Sequence, residues 1–256
     1  MNQPVDCSYS IEGSGSPLFL IHGIGAARDA WRFMTPMLCD HFTVVSYDLR
    51  GHGLSPCPSK AFGLDALVAD LEWIREQTGF ERAHFAGHSL GGMIGPAYAL
   101  KYPERVLSLG LLSTAAGRTV EDSKKVWAVV HAMEQKGISQ VLKTLIDRWF
   151  TDPFIKFQGD IVTRRLKQVI DTDPDVFMNV FRIYAGTEMM PWLNRVQARS
   201  LVLTGELDGG CNPRLNKLIE QELPNGELVI LPEVKHAILL EAPDQVTSHL
   251  IRFINQ

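Results

Sequence analysis

The chain is short of anything that would staple or anchor it. Cysteine is scarce: Cys7, Cys39, Cys57 and Cys211 are the four in 256 residues. None belongs to a Cys-x-x-Cys pair and none sits beside a second likely metal ligand, which speaks against a zinc module and a disulfide scaffold. Free thiols in a reducing, cytoplasmic setting are expected. No apolar run approaches the ~20 residues of a membrane span. The segment Met1 to Ser10 has no basic stretch leading into an apolar one, so no signal peptide is read there. Neither sign of charge dominates, with a formal charge of -4 and a pI near 6.1. That leaves no electrostatic case for a nucleic-acid partner or an anionic membrane. The basic pairs Lys124-Lys125 and Arg164-Arg165 are isolated and are expected on solvated helix faces. No repeat or low-complexity tract is visible.

What is present is a globular balance of 45% hydrophobic and 21% charged residues, enough for one large domain. Apolar runs at Leu18 to Ile21, Phe42 to Tyr47, Ala83 to Gly87 and Val106 to Leu112 read as strands buried on both faces. A weaker alternation over Val5 to Ile11 suggests an edge strand. Helical spacing lies between the runs, over Ala26 to Leu38, Asp65 to Glu76 and Met93 to Tyr102. Gly79 and Pro103 close the last two. The alternation predicts an α/β fold with a mostly parallel central sheet flanked by helices. After Gly117 it stops. Helices are predicted over Val120 to Lys136, Ile138 to Phe150, Gly159 to Asp171 and Asp175 to Gly186, with no buried strand among them. Strands resume at Ser200 to Thr204 and Glu227 to Leu231, with helices at Asn212 to Leu223 and Pro243 to Ile254. The expected layout is one domain, 1–256, with its core in 1–117 and 191–256 and a helical cap in 118–190, inserted after the sixth strand.

The chemistry centres on Gly87-His88-Ser89-Leu90-Gly91. An apolar strand leads into this Gly-x-Ser-x-Gly pentapeptide and a helix leads out, the setting in which the motif makes a nucleophile elbow. A serine hydroxyl needs a base, and the base needs an orienting carboxylate. Two later strand ends carry suitable side chains: Asp208, with Glu206 as its rival, and His236. The order Ser89, Asp208, His236 is the one an elbow on an α/β sheet requires. Asp48 and Asp70 precede the serine and fit that order poorly. Of the eight histidines, only His236 follows both serine and carboxylate at a strand end. His22 and His52 sit in glycine-rich loops and are expected to shape them. Backbone amides of Leu90 and Ile24 are the expected oxyanion hole.

Together His22-Gly23-Ile24-Gly25, Asp48 to Ser55, Gly87 to Gly92, Asp208 and His236 resemble the α/β-hydrolase fold family over nearly the whole chain. The chain looks most like its small carboxylesterases, enol-lactone hydrolases and carbon–carbon bond hydrolases. Haloalkane dehalogenases and epoxide hydrolases resemble it too but carry aspartate at the elbow. Carbon–carbon hydrolases usually carry tryptophan after the catalytic histidine, where this chain has Ala237. The resemblance implies a serine hydrolase for a small-molecule ester or lactone, needing no metal or organic cofactor and acting as monomer or homodimer. Cleavage of a carbon–carbon bond and a hydrolase-like ligand receptor stay open as alternatives. Trp31, Trp149, Tyr184 and Met190 are expected to line the substrate pocket, with Trp127, Met133, Phe150, Met178 and Met189 as further candidates. Arg118, Arg148 or Arg182 would meet a substrate carboxylate.

Overall fold

A computed structural model describes residues 3–256. Seven strands form one sheet: β1 (Tyr9–Gly13), β2 (Ser16–Ile21), β3 (Phe42–Tyr47), β4 (Ala83–His88), β5 (Val106–Leu112), β6 (Arg199–Gly205) and β7 (Gly226–Leu231). Their spatial order is β1-β3-β2-β4-β5-β6-β7. Only β1 runs antiparallel, paired with β3; the other pairs are parallel. Right-handed crossovers must therefore put helices on both faces. The period of two sorts the strand side chains accordingly. In β2, Phe19 and Ile21 join the core under one helical layer, while Leu18 and Leu20 join the core under the other.

The helices of the core are α1 (Thr35–Cys39), α2 (Leu64–Thr78) and α3 (Gly91–Lys101) before the cap. The cap follows, with α4 (Val120–Lys136), α5 (Ile138–Trp149), α6 (Asp152–Phe157), α7 (Gly159–Asp171) and α8 (Pro174–Gly186). The chain returns through α9 (Met190–Leu193), α10 (Pro213–Glu222), α11 (Ile238–Glu241) and α12 (Pro243–Ile254). The cap has its own apolar centre, with Val130, Met133, Leu142, Val169 and Phe177 buried together. It follows β5, the fifth strand, and not the sixth as expected, because the N-terminal segment supplies a single strand ahead of the first parallel one. Within the described residues no helix is long and apolar enough to cross a membrane.

Two local departures have simple causes. The predicted helix over Ala26 to Leu38 is instead a short 3₁₀ turn, Arg28–Trp31, followed by α1. Pro36 cannot donate an amide and constrains the residue before it, so it is accommodated only where a helix begins. Thr151-Asp152-Pro153 follows the predicted helix Ile138 to Phe150 and does end α5, but it also starts α6, which the helical spacing did not predict: the Thr151 hydroxyl accepts from the Phe154 amide.

The sheet order reverses between β2 and β4, and a crevice opens outside their C-terminal ends. The elbow fills it. A methyl group added at Gly87 would overlap the Gly91 carbonyl, and one at Gly91 would overlap the Ile21 carbonyl. Both obstacles are backbone, which cannot swing aside. Gly87→Ala and Gly91→Ala are each expected to cost at least about 3 kcal/mol and to lower Tm sharply. Gly63→Ala, where nothing lies within 4 Å of the added methyl, should leave Tm nearly unchanged. Thermal unfolding of the three variants checks this.

Candidate active site

Ser89 occupies the tip between β4 and α3 at φ 56°, a left-handed conformation that costs a non-glycine residue about 1–2 kcal/mol. Neighbours over-determine it. Its amide donates to the Leu112 carbonyl at 2.8 Å, and its carbonyl accepts from the Thr114 hydroxyl at 2.9 Å and the Gly92 amide at 3.0 Å. The strain is thus held by β5 and the start of α3.

Asp208 leaves the end of β6 and His236 the loop after β7. His236 Nδ1 donates to Asp208 Oδ2 at 2.7 Å. The other carboxylate oxygen accepts from the Gly210 and Cys211 amides at 2.9 and 2.8 Å, which fixes its plane. Glu206, the rival carboxylate, is exposed and accepts from the Glu233 amide instead. Ser89, Asp208 and His236 line one cavity of about 140 Å³. The hydrogen bonds of the His236 ring among the described residues do not include one to Ser89 Oγ. Such contacts commonly tighten only when substrate is bound.

The His236 loop is pinned from several sides. His88 Nε2 donates to the His236 carbonyl at 3.0 Å, and the Ala237 amide donates to the Trp149 carbonyl at the end of α5 at 2.9 Å. The Lys235 amide donates to Glu241, whose other oxygen accepts from the Thr151 amide and hydroxyl. Cap and His236 loop are therefore one hydrogen-bonded unit.

The loop after β2 closes the crevice. Gly23 packs so tightly on the elbow that an added methyl would lie 3.1 Å from Ser89 Cβ. Among the described residues, neither the Ile24 nor the Leu90 amide donates to a protein acceptor. His22 donates from Nδ1 to the Gly23 carbonyl at 2.8 Å and accepts the Leu49 amide at Nε2 at 2.9 Å. His52 accepts the Gly25 amide at 3.2 Å and bonds the Arg50 carbonyl. Both histidines shape loops, as expected. Asp48 and Asp70 are likewise structural. Asp48 accepts from the Arg28 and Leu54 amides, and Asp70 takes two 2.6 Å bonds from Arg50.

The cavity wall corrects several expectations. Trp149, Tyr184 and Phe150 line it. Trp31 does not: the 3₁₀ turn directs its ring into the core against the sheet, where it is fully buried, and Ala30 and Arg32 face the cavity. Met190 does not line it either, because α9 packs it beside Gly117 against the core. Trp127, Met133 and Met178 pack the cap, and Met189 the core. Of the three arginines named for a carboxylate, only Arg148 reaches the wall. Arg118 donates to the Tyr184 and Thr187 carbonyls and lies 4.4 Å over the Tyr184 ring. Arg182 pairs with Glu134 at 2.7 Å on the exposed face.

Cys211 and Arg165 are among the wall residues that were not foreseen. Cys211 was read as standing apart from other metal-type ligands, yet its sulfur lies within 4.8 Å of the ligand atoms of Asp208 and His236. All three side chains are already engaged in hydrogen bonds, Cys211 with the Tyr184 hydroxyl at 3.1 Å. Arg165, expected on a solvated face, points into the protein. Val162, Arg165 and Val169 share one face of α7 at i, i+3, i+7 spacing, a periodic signal that marks Arg165 as inward.

Electrostatics separate the histidines. Burial pushes His88 down to about 3, helped by the neighbouring His236, and pushes His52 down to about 4. Burial also holds His22 well below its ordinary value. Burial opposes charge at His236 as well, but the Asp208 carboxylate, its hydrogen bond and Cys211 outweigh it and carry the ring up to about 10. Asp208 is buried too, yet the His236 ring and the two amides hold it below the usual carboxylate range.

A family model described as alpha/beta hydrolase fold matches residues 16–136. The chain is 24% identical over 254 residues to a 3-oxoadipate enol-lactonase of Acinetobacter baylyi, covering 98% of this chain and 94% of that one. It is 28% identical over 256 residues to a pimeloyl-[acyl-carrier protein] methyl ester esterase of Pectobacterium carotovorum, covering 96% and 97%. The crystal structure of the enol-lactonase from Burkholderia xenovorans superposes with a TM-score of 0.91 at 23% identity, over 98% of each chain. The protein has the α/β-hydrolase fold.

The histidine assignments are checked by NMR titration of the imidazole signals. His236 should hold its proton well above pH 6.5, because its charged form is the one Asp208 favours. His22, His52 and His88 should stay neutral down to acid pH. Asp208→Asn should bring the His236 midpoint down and leave His22 and His52 where they were.

Proposed function

We propose that the protein is a serine hydrolase that cleaves a small carboxylic ester or lactone through an acyl-enzyme on Ser89. Neutral His236 takes the Ser89 proton as Oγ attacks the carbonyl carbon. The amides of Ile24 and Leu90 receive the oxyanion, at no reorganisation cost because neither has a protein partner to leave. His236 then gives the proton to the leaving alcohol or enol. Water, deprotonated by His236, releases the acid in a second round. Asp208 keeps Nδ1 of the ring protonated and the ring in plane throughout.

One observation carries this reading. A serine held at positive φ, an Asp–His pair and Ile24 line a single cavity, and among the described residues neither the Ile24 amide nor that of Leu90, directly after the serine, has a protein acceptor. The enol-lactonase and methyl ester esterase relatives support the bond type. A space of about 140 Å³ suits a molecule of roughly single-ring size, close to what a ~150 Å³ engineered cavity admits. Its wall is mainly apolar, with Arg32 and Arg148 as cations beside Arg165, whose guanidinium is taken up by the Ile24 and Gly25 carbonyls; Arg148 suits a substrate that carries an acid group on an apolar frame. The protein is read as a cytoplasmic enzyme acting on a free small molecule. Carbon–carbon bond cleavage would use the same three side chains, and Ala237 after the base favours the ester or lactone reading.

Ser89→Ala should lower turnover of short p-nitrophenyl esters and of enol-lactones by roughly four to six orders of magnitude. The wild-type kcat/KM should rise with pH, since only the neutral His236 can accept a proton and its ring is shifted upward. Turnover that survives Ser89→Ala would reject the mechanism.

A further inference from the structure

The loop expected to bind the oxyanion contains two glycines, Gly23 and Gly25, with Gly25 at φ +57°. Such a segment is intrinsically loose. Its three consecutive carbonyls are nevertheless all held by side chains. His22 donates to Gly23, and Arg165 donates from Nη2 to Ile24 at 2.8 Å and from Nη1 to Gly25. The peptide planes on both sides of Ile24 are thereby fixed, while its amide has no protein acceptor among the described residues.

Arg165 comes from the cap, about 140 residues further along the chain. Its guanidinium lies 4.9 Å over the Trp149 ring and forms no ion pair with any described carboxylate. Burying a cation without a counter-charge is costly, and burial lowers its pKa to about 10. Cap stability does not require that cost, since α7 is already tied down by the Arg164–Asp29 ion pair at 2.8 Å and by Gln168 to Asp29. The uncompensated charge also disfavours protonation of His22, His52 and His88, whose neutral rings hold the loop, the elbow and the base segment.

We propose that Arg165 is a positioning residue. Reaching from the cap, it sets the loop that presents the Ile24 amide and places an unneutralised positive charge beside the developing oxyanion. The cap is then part of the acylation machinery, not only a lid over it. This rests on the hydrolase reading above.

The test compares Arg165→Gln and Arg165→Lys with Lys167→Gln, an exposed position on the same helix. With a neutral substrate, p-nitrophenyl acetate, Arg165→Gln should lower kcat by about 10²-fold with KM within about twofold, the pattern of a lost transition-state interaction. Inhibition by a trifluoromethyl ketone, which fills the oxyanion site, should weaken in the same proportion. Arg165→Lys should recover part of the loss, and Lys167→Gln should match wild type. Amide hydrogen exchange of the segment 22–26 should accelerate in Arg165→Gln, a readout that needs no turnover. If neutral esters are unaffected and only acid-bearing substrates suffer, Arg165 is a carboxylate receptor and the proposal is overturned. Unchanged exchange in a folded Arg165→Gln overturns it too. Failure of the hydrolase reading has a different signature, turnover that survives Ser89→Ala, and then the exchange measurement alone decides Arg165.

Discussion

The structure depends on one close approach of backbone to backbone. Where β2 and β4 end side by side, Gly87 and Gly91 let the elbow fold onto itself and onto the Ile21 carbonyl, with no room for a side chain. That contact holds Ser89 in its left-handed conformation and brings Gly23 against its Cβ. Ser89 and the loop Gly23 to Gly25, the proposed nucleophile and oxyanion loop, are set by the same contact, because they follow adjacent strands at the reversal of sheet order. Asp208 and His236 reach the same rim from the next two strands but one, β6 and β7, and need only loops to arrive.

Charge is distributed with the same economy. One carboxylate–imidazole pair is buried and favours the protonated ring. Around it three histidines are kept neutral: His22 and His52 each accept a backbone amide at Nε2, a bond that protonation there would break, and His88 donates to the His236 carbonyl. Among the described residues lining the cavity the cap supplies two cations, Arg148 and Arg165, and no anion. A site so arranged is biased toward binding negative charge before any substrate enters. The cap also holds the base segment through Trp149, so its helices grip the site at two points.

Most of the core was legible in the sequence because both of its signals are strong and local. Buried parallel strands read as unbroken apolar runs, and α12 falls on its predicted limits, Pro243–Ile254. The elbow and the Ser, Asp, His order are patterns along the chain and need no knowledge of packing. What was missed depends on where a turn aims a side chain. Trp31 looked placed to reach the pocket, but the 3₁₀ turn at Arg28–Trp31 rotates it into the core. Met190 belongs by position to the cap and by packing to the core beneath it. Arg165 was discounted as one of a basic pair, although the helical period set it apart from Arg164. Cys211 stands three residues from Asp208, and only the curl of the loop after β6 turns its sulfur toward His236.

The central claim is that Ser89 becomes a nucleophile because His236 and Asp208 meet it at one rim. Intact-protein mass spectrometry after a fluorophosphonate pulse tests this directly. The account predicts a single adduct per chain, located on Ser89, absent in Ser89→Ala and formed far more slowly in His236→Asn. Labelling at another residue, or labelling of Ser89 at an equal rate without the His236 imidazole, would contradict it.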